Sequence, residues 1–340
     1  MKISQFAGNR IIKTGVAVFL TAWICELFNW PPVFAVITAI VTIEPTVNDS
    51  IKKGIIRFPA SAIGSAFAVL FISLFGDSPV TYAFAAVLTI ATCFKLKLHE
   101  GLLVATLTSV AMVEVIHSNY LISFFIRLGT TTTGLLISTA VNMFVFPPHY
   151  SREVVENIKN TSRDTGILIE KTFTDILEEK DSISQSKTEM MERLDKKWER
   201  TQKLIHFQKN ESKYHPLVGH EKQVFLGTEQ QLTKLRLIHY HLDNVLNTEI
   251  VDISWSQNER AIILKAVKDL AYSLQNPEAF NDKQHTIQIN LLMTQFWEDN
   301  GEITTGNKRH PTHFTPELII LYELVSISNL VTNLYRSLSD

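Results

Sequence analysis

The sequence predicts an all-α, polytopic membrane protein in which six transmembrane helices precede a cytoplasmic helical bundle. The uneven distribution of charge supports this prediction. Residues 1–148 contain 9 Lys/Arg and 6 Asp/Glu, whereas residues 149–340 contain 23 and 28. Long apolar runs are therefore confined to the first part, and the second part has the composition of a water-exposed domain. The sequence predicts a transmembrane domain over 1–148 and a cytoplasmic domain over 149–340, separated after Pro147-Pro148.

The first part contains six apolar runs that are separated by charged residues or by Pro and Gly. They cover residues 12–28, 31–43, 58–75, 79–94, 101–116 and 120–146. Each run predicts a membrane-crossing helix, with flanking residues extending the shorter runs towards the roughly 20 residues that a span needs. Lys and Arg lie before the first run and after the second and fourth, and none follows the first, third or fifth. The positive-inside rule therefore predicts that both termini are cytoplasmic.

An internal repeat appears when the sequence is shifted by 70 residues. The identical pairs are Ala35 and Ala105, Thr38 and Thr108, Glu44 and Glu114, Ile56 and Ile126, Arg57 and Arg127, and Gly64 and Gly134. A repeat of three spans reverses its direction in the membrane, so the sequence predicts an inverted 3+3 pair of halves, as in many transporters. The glycines favour close approach of helices.

Ionisable residues in or beside the apolar runs are the candidate pathway residues, because a charge near a helix centre costs roughly 2.5–3.5 kcal/mol on insertion scales. The ionisable candidates are Glu44, Arg57, Glu114 and Arg127, and Pro45 joins them because it directly follows Glu44. Pro45 predicts a helix break after Glu44, although Glu44 alternatively marks the end of a slightly longer helix. Arg57 is expected at an interface. Arg127 is expected either to extend to the outer surface or to contact a buried anion.

The second part predicts an antiparallel bundle of helices, because apolar residues recur every three or four positions. The predicted helices lie near residues 154–172, 191–205, 232–246, 262–274, 284–298 and 320–338. Thr315 and Pro316 predict the start of the last one. No residues have the spacing of an enzyme active site or a metal site, so the sequence predicts neither an enzyme nor a bound cofactor. A net charge of −2 argues against nucleic-acid binding.

These features resemble the bacterial aromatic acid exporter family, within the wider fusaric acid resistance group. The resemblance is carried by Trp30-Pro31-Pro32, by residues 38–46 (TAIVTIEPT), by Ser50, Gly54, Arg57 and Gly64, and by Arg127-Leu128-Gly129-Thr130. The charged helical tail is similar to the C-terminal domain of one branch of that family. Larger relatives carry two membrane modules where this chain has one, so the resemblance implies a homo-oligomer.

The resemblance further implies export of aromatic carboxylates or related organic anions from the cytoplasm across the cell membrane of a bacterium. On this hypothesis Glu44 and Glu114 are a proton-linked pair, and Arg57 and Arg127 attract the carboxylate of the substrate. Two alternatives remain open from the sequence. One is a gated anion channel, and the other is a membrane-anchored scaffold or sensor whose helical domain binds partners.

Overall fold

The structure is a computed structural model, and it describes residues 3–115, 119–179, 185–248, 253–306 and 314–336. The chain divides into two compact units. The first contains residues 1–149 together with residues 207–216, and the second contains residues 150–206 and 217–340. The segment 207–216 thus packs with the first unit although it lies far along the sequence.

Six helices of the first unit correspond one to one with the six apolar runs. They are α1 (Ile3–Leu27), α2 (Pro32–Thr42), α3 (Val47–Phe75), α4 (Pro79–Lys95), α5 (Leu102–Val115) and α6 (Tyr120–Phe144). A short 3-10 helix, His99–Gly101, precedes α5. Helix α2 ends at Thr42, and residues 43–46 connect it to α3 without helical structure. This break lies at the predicted Glu44-Pro45 position, because Pro45 has no backbone N–H to continue the helix.

The start of α3 differs from the sequence-based prediction. The apolar run begins at residue 58, but the helix begins at Val47. Thr46 caps it, since the Thr46 side chain accepts a hydrogen bond of 3.0 Å from the Asp49 N–H. The sequence predicts a connection over residues 44–57, between the second and third runs, and this prediction is wrong because Lys52, Lys53 and Arg57 belong to the first turns of α3. The charged residues before position 58 delay the start of the apolar run, but they do not prevent the helix from beginning at Val47.

Three helices in the described part of the chain are long and apolar enough to cross a membrane, and these are α3, α6 and Pro316–Arg336. Helices α2 and α4 are apolar but shorter. Within Pro316–Arg336, 67% of the apolar window is buried inside the protein. Its apolar residues therefore serve a helix-bundle core, whereas most of the corresponding windows of α3 and α6 are not buried.

The packing of the first unit follows the 70-residue offset. A Cβ atom at Gly64 of α3 would lie 2.3 Å from the Ala105 carbonyl oxygen of α5, and one at Gly134 of α6 would lie 2.4 Å from the Ala35 carbonyl oxygen of α2. Each helix pair is therefore in backbone contact at equivalent positions. The small residues act as the sequence predicts, by allowing this close approach.

Replacing Gly64 by Ala should destabilise the first unit by about 1–3 kcal/mol, because the added methyl group collides with rigid backbone and separates α3 from α5. Gly134→Ala should have a similar effect on α6 and α2. Gly54→Ala is the matched control in α3, since its Cβ would meet only a Leu135 methyl group at 3.7 Å. Thermal unfolding in detergent should show clearly lower midpoints for the first two variants. Equal midpoints for all three would contradict the close packing.

The second unit contains the remaining helices. They are α7 (Ser151–Leu177), α8 (Gln185–Glu211, whose last residues belong to the first unit), α9 (Gly219–Asn247), α10 (Gln257–Gln275), α11 (Asp282–Gly306) and α12 (Pro316–Arg336). Helix α7 packs against α9 and α10, and α12 packs against α9 and α11. No strand occurs in the residues that the structure describes. The predicted all-helical class is confirmed. At the start of α10, Ser256 and Glu259 form a reciprocal capping box.

A histidine in the core makes the second unit sensitive to acid. His239 is 1% exposed, its Nε2 lies 2.8 Å from Thr165 Oγ1, and burial lowers its pKa to about 4. Between pH 6.5 and pH 4 the unfolded chain binds a proton at this residue that the folded chain does not. The free energy of unfolding should therefore fall as the pH falls through this window, by up to about 3 kcal/mol.

Replacing His239 by Gln should remove this contribution to the pH dependence. The measurement is the thermal midpoint of the full chain between pH 7 and pH 4 for the wild type and the variant. His220→Gln is the matched control because His220 is exposed on α9, and it should retain the wild-type slope. An unchanged slope in His239→Gln would contradict the prediction.

Candidate functional site

Glu44 lies in the break between α2 and α3 and is held by two cations. Its Oε1 accepts a hydrogen bond of 2.8 Å from Arg57 Nη2, and its Oε2 accepts one of 3.3 Å from Lys53 Nζ. Pro45, the next residue, lies in the same connection and cannot continue α2 because it has no backbone N–H. The carboxylate group is thus directed towards the first turns of α3 by the break that the sequence predicts.

Arg57 is 5% exposed and uses its whole guanidinium group. Besides the Glu44 ion pair, Nη1 donates to the Val41 carbonyl oxygen at 3.1 Å, and Nε donates to the Glu100 carbonyl oxygen at 3.3 Å. These contacts join the end of α2, the start of α3 and the start of α5. Each nitrogen of the Arg57 guanidinium is therefore hydrogen-bonded, and Glu44 balances its charge. In this state Arg57 has a structural role and is not open to solvent.

Arg127 has a contrasting environment in α6. It is 4% exposed, and its guanidinium carbon lies 4.3 Å from the centre of the Phe34 ring. Nη2 donates a hydrogen bond to Thr108 Oγ1, whereas the buried Nε and Nη1 have no hydrogen-bond partner. An arginine keeps its charge and prefers two parallel hydrogen bonds to one carboxylate. Arg127 therefore presents two unused donors inside the first unit, and it does not extend to the surface.

A polar crossing joins α3 to α6 and reaches Arg127. Ser61 Oγ of α3 lies 3.2 Å from Thr131 Oγ1 of α6, and these two residues are 70 positions apart. The same Ser61 oxygen lies 3.5 Å from Thr108 Oγ1, which also accepts from Arg127. Hydroxyl groups therefore form a continuous path from Arg127 to the centre of the repeat.

The direction of the helices places the arginines on opposite sides of this crossing. Ser50 contacts Asn142 at 2.9 Å, and Ser61 contacts Thr131, so α3 and α6 run antiparallel. Arg57 and Arg127 each precede the crossing by four residues in their own helix. At 1.5 Å per residue they are separated by about 12 Å along the helix axes.

Glu114 is the candidate that the structure does not bring into this arrangement. It is exposed near the end of α5. In the described ranges it forms no ion pair with Arg127, although its repeat counterpart Glu44 binds Arg57. Of the four charged residues, Glu44 and Arg57 therefore form an ion pair. Glu114 and Arg127 do not pair with each other in the described ranges.

Two polar residues of the site escaped the sequence reasoning. Lys13 is 5% exposed, and its Nζ donates to Asn142 Oδ1 at 2.8 Å. The Asn142 amide also donates to Ser50 Oγ and to the Glu44 carbonyl oxygen. Their positions in the sequence could have indicated these two residues, because both interrupt apolar helices close to the ends of the predicted spans. Among the described side chains, no group of three or more His, Cys, Asp or Glu is arranged to hold a metal ion.

Comparison with known proteins agrees with this membrane-type architecture. Residues 5–145 match the family described as aromatic acid exporter family member 1. A UPF0421 protein of Oceanobacillus iheyensis is 47% identical, over 98% of this chain and 97% of the relative. A UPF0421 protein of Bacillus cereus is 42% identical over 96% and 92%, and one of Staphylococcus haemolyticus is 33% identical over 94% and 96%. This chain, which matches these relatives over nearly its whole length, therefore belongs to the UPF0421 family, and its residues 5–145 match the aromatic acid exporter family.

Proposed function

We propose that this chain is a bacterial membrane exporter of aromatic carboxylates or related organic anions. The single observation that carries the proposal is the Arg127 guanidinium, which is buried with two free donors and no carboxylate partner. A buried charge without a counterion is costly, so such an arrangement is expected where a ligand supplies the missing charge. Family membership supports an export role.

Arg127 is suited to an aromatic acid in particular. Its free Nε and Nη1 lie on different edges of the guanidinium, and either can donate a charge-assisted hydrogen bond to a carboxylate oxygen. The Phe34 ring lies against the guanidinium, and the Trp30 ring touches Gly129 in the same helix, where a Cβ would be 2.6 Å away. Aromatic rings pack favourably on one another when their centroids are about 4.5–7 Å apart. The arginine binds the acid group while the neighbouring rings accommodate the aromatic part.

The inverted repeat suggests how the site opens to either side. In the present state Glu44 neutralises Arg57. Glu114, the repeat counterpart of Glu44, does not pair with Arg127 in the described ranges. Because the two halves are equivalent in sequence, exchange of their conformations would pair Glu114 with Arg127 and release Arg57 from Glu44. The glutamates would then compete with the substrate for the arginines in alternate states. Protonation of the displaced glutamate gives the link to a proton gradient.

The proposal includes the membrane topology. Helices α1–α6 cross the cell membrane, both termini are cytoplasmic, and residues 149–340 form a cytoplasmic helical domain. The basic residues of this part other than Arg127 lie towards the N-terminus, in the first turns of α3 and at the end of α4, and this distribution supports the orientation. A single six-helix module also favours assembly into a homo-oligomer in the lipid bilayer.

The test is efflux of a panel of aromatic acids from vesicles that contain the purified full-length chain. Efflux should exceed that of empty vesicles and should fall when the proton gradient is collapsed. Glu114→Gln should abolish the gradient-driven efflux while the protein remains in the membrane. Current that follows the electrochemical gradient and ignores the pH gradient would identify a channel instead. No efflux of any acid would reject transport and favour a scaffold or sensor.

A further inference from the structure

Glu211, the last residue of α8, is a buried carboxylate in the first unit. It belongs to the segment 207–216 and is fully buried. Its Oε2 accepts a hydrogen bond of 2.9 Å from the Val47 backbone N–H, and its Oε1 lies 2.6 Å from His215 Nδ1. Both oxygens therefore have partners inside the first unit, and one of those partners is the first residue of α3.

The position of Val47 explains why a carboxylate binds there. The first N–H groups of a helix have no partner within the helix, and the helix dipole attracts negative charge to this end. Thr46 satisfies only the Asp49 N–H. Glu211 supplies an acceptor and a negative charge for Val47 at the start of a helix of 29 residues.

A buried cation strengthens this carboxylate site. Lys13 Nζ donates to the neutral Asn142 side chain and backbone, at 2.8 and 3.5 Å, and it interacts electrostatically with Glu211. Beside it lies a cavity of about 140 Å³ whose lining includes Arg10, Lys13 and Asn142. Glu44 also lines this cavity, but its charge is already balanced by Arg57 and Lys53.

We propose that the break between α2 and α3 carries a carboxylate-binding site which Glu211 occupies as a tethered ligand. A free organic carboxylate at sufficient concentration competes for Val47 and Lys13 and releases the segment 207–216. A tethered group has an effective concentration of about millimolar when its linker is short, so millimolar acid is required to displace it. The site thus senses the concentration of organic anions. This inference goes beyond the proposed function, because occupancy by Glu211 does not depend on transport.

The test is hydrogen exchange of the full-length chain in lipid nanodiscs, followed in peptides that cover residues 44–50 and 207–216. Benzoate is the probe, and benzyl alcohol is the neutral ligand of similar shape. Benzoate should accelerate exchange over 207–216 severalfold in the wild type, and benzyl alcohol should not. An unchanged rate up to the solubility limit of benzoate, or an equal effect of the alcohol, would overturn the proposal.

Glu211→Ala should give a signature of the opposite sign. Without benzoate, residues 44–50 should exchange severalfold faster than in the wild type, and benzoate should slow this exchange because it fills the vacated site. Glu199→Ala is the matched control, since Glu199 is exposed on the same helix, and it should behave as the wild type. Wild-type exchange in Glu211→Ala would overturn the proposal.

A second variant keeps the test valid if Glu211→Ala does not fold. Glu211→Gln retains an acceptor for the Val47 N–H but removes the negative charge. Benzoate should then release the segment 207–216 at a severalfold lower concentration than in the wild type. An identical benzoate dependence would overturn the proposal. None of these measurements uses efflux, so failure of the transport proposal and failure of this inference can be told apart.

Discussion

Replacing Arg127 by Met should reduce efflux at least tenfold and should not destabilise the protein. Within the described part of the chain, the guanidinium has two buried donors without hydrogen-bond partners and forms no ion pair. A hydrogen bond that involves a charged group contributes about 1.5–3 kcal/mol, which corresponds to roughly ten- to hundredfold in binding. Removal of an unpaired buried charge by an apolar side chain of similar volume should instead raise stability, by about 1 kcal/mol. Efflux assays and thermal unfolding measure the two effects on the same preparation.

The opposite signs of these effects separate a substrate-binding role from a structural one. If Arg127 only held α6 against α2 and α5, the variant would lose stability and activity together. Arg127→Lys should retain part of the efflux, because the charge remains while the second parallel hydrogen bond is lost. Arg193→Met is the matched control, since Arg193 is exposed in α8 and pairs with Glu189 at the surface, and it should change neither quantity. Full efflux by Arg127→Met would reject the site.

The helices and their breaks were predictable because their causes are local. Apolar runs, the Glu44-Pro45 break and the Thr315-Pro316 start are properties of neighbouring residues. The start of α3 was missed because the charged residues from Asp49 to Arg57 precede the apolar run and the Thr46 cap was not recognised. Hydropathy finds the part of a helix that lies in lipid, whereas capping shows where the helix begins.

The candidate site was only partly predictable, because the repeat suggested a symmetry that this state does not have. The offset of 70 assigns the same surroundings to Arg57 and Arg127. Only Arg57 has a glutamate partner, because Glu44 lies in a break that turns it towards the start of α3, whereas Glu114 lies within α5. The surroundings of Arg127 come from Phe34 and Thr108, which lie on other helices. Sequence spacing cannot specify such contacts between distant elements.

The role of the segment 207–216 was beyond the sequence for the same reason. The predicted domain boundary assigned this part of the chain to the domain over 149–340, and residues 207–211 form the end of α8. Its contacts with the first unit depend on Glu211 reaching Val47, 164 positions earlier in the chain. Buried carboxylates at the end of an otherwise charged helix look the same as exposed ones in sequence. Burial separates them, and burial is a tertiary property.

Replacing Arg57 by Met should destabilise the first unit by about 3 kcal/mol, in contrast to the same change at Arg127. Loss of one partner from a buried ion pair leaves the other charge uncompensated, which typically costs 3–5 kcal/mol. Lys53 still binds Glu44, so the lower end of that range is expected. The Val41 and Glu100 carbonyl oxygens also lose their donor. Thermal unfolding of the full chain in detergent should show a markedly lower midpoint.

The double variant Glu44→Gln with Arg57→Met tests whether the loss comes from the stranded carboxylate. It should recover most of the stability, because no buried charge remains unpaired, whereas two independent contributions would add. Lys53→Met is the control within the same cluster, and its cost should stay below about 1 kcal/mol because Lys53 is partly exposed. A double variant no more stable than Arg57→Met would show that Arg57 stabilises the fold through its carbonyl contacts. In that case the ion pair between Glu44 and Arg57 could open during transport at little cost in stability. Failure of this prediction would then support the proposed exchange of conformations between the two halves of the repeat.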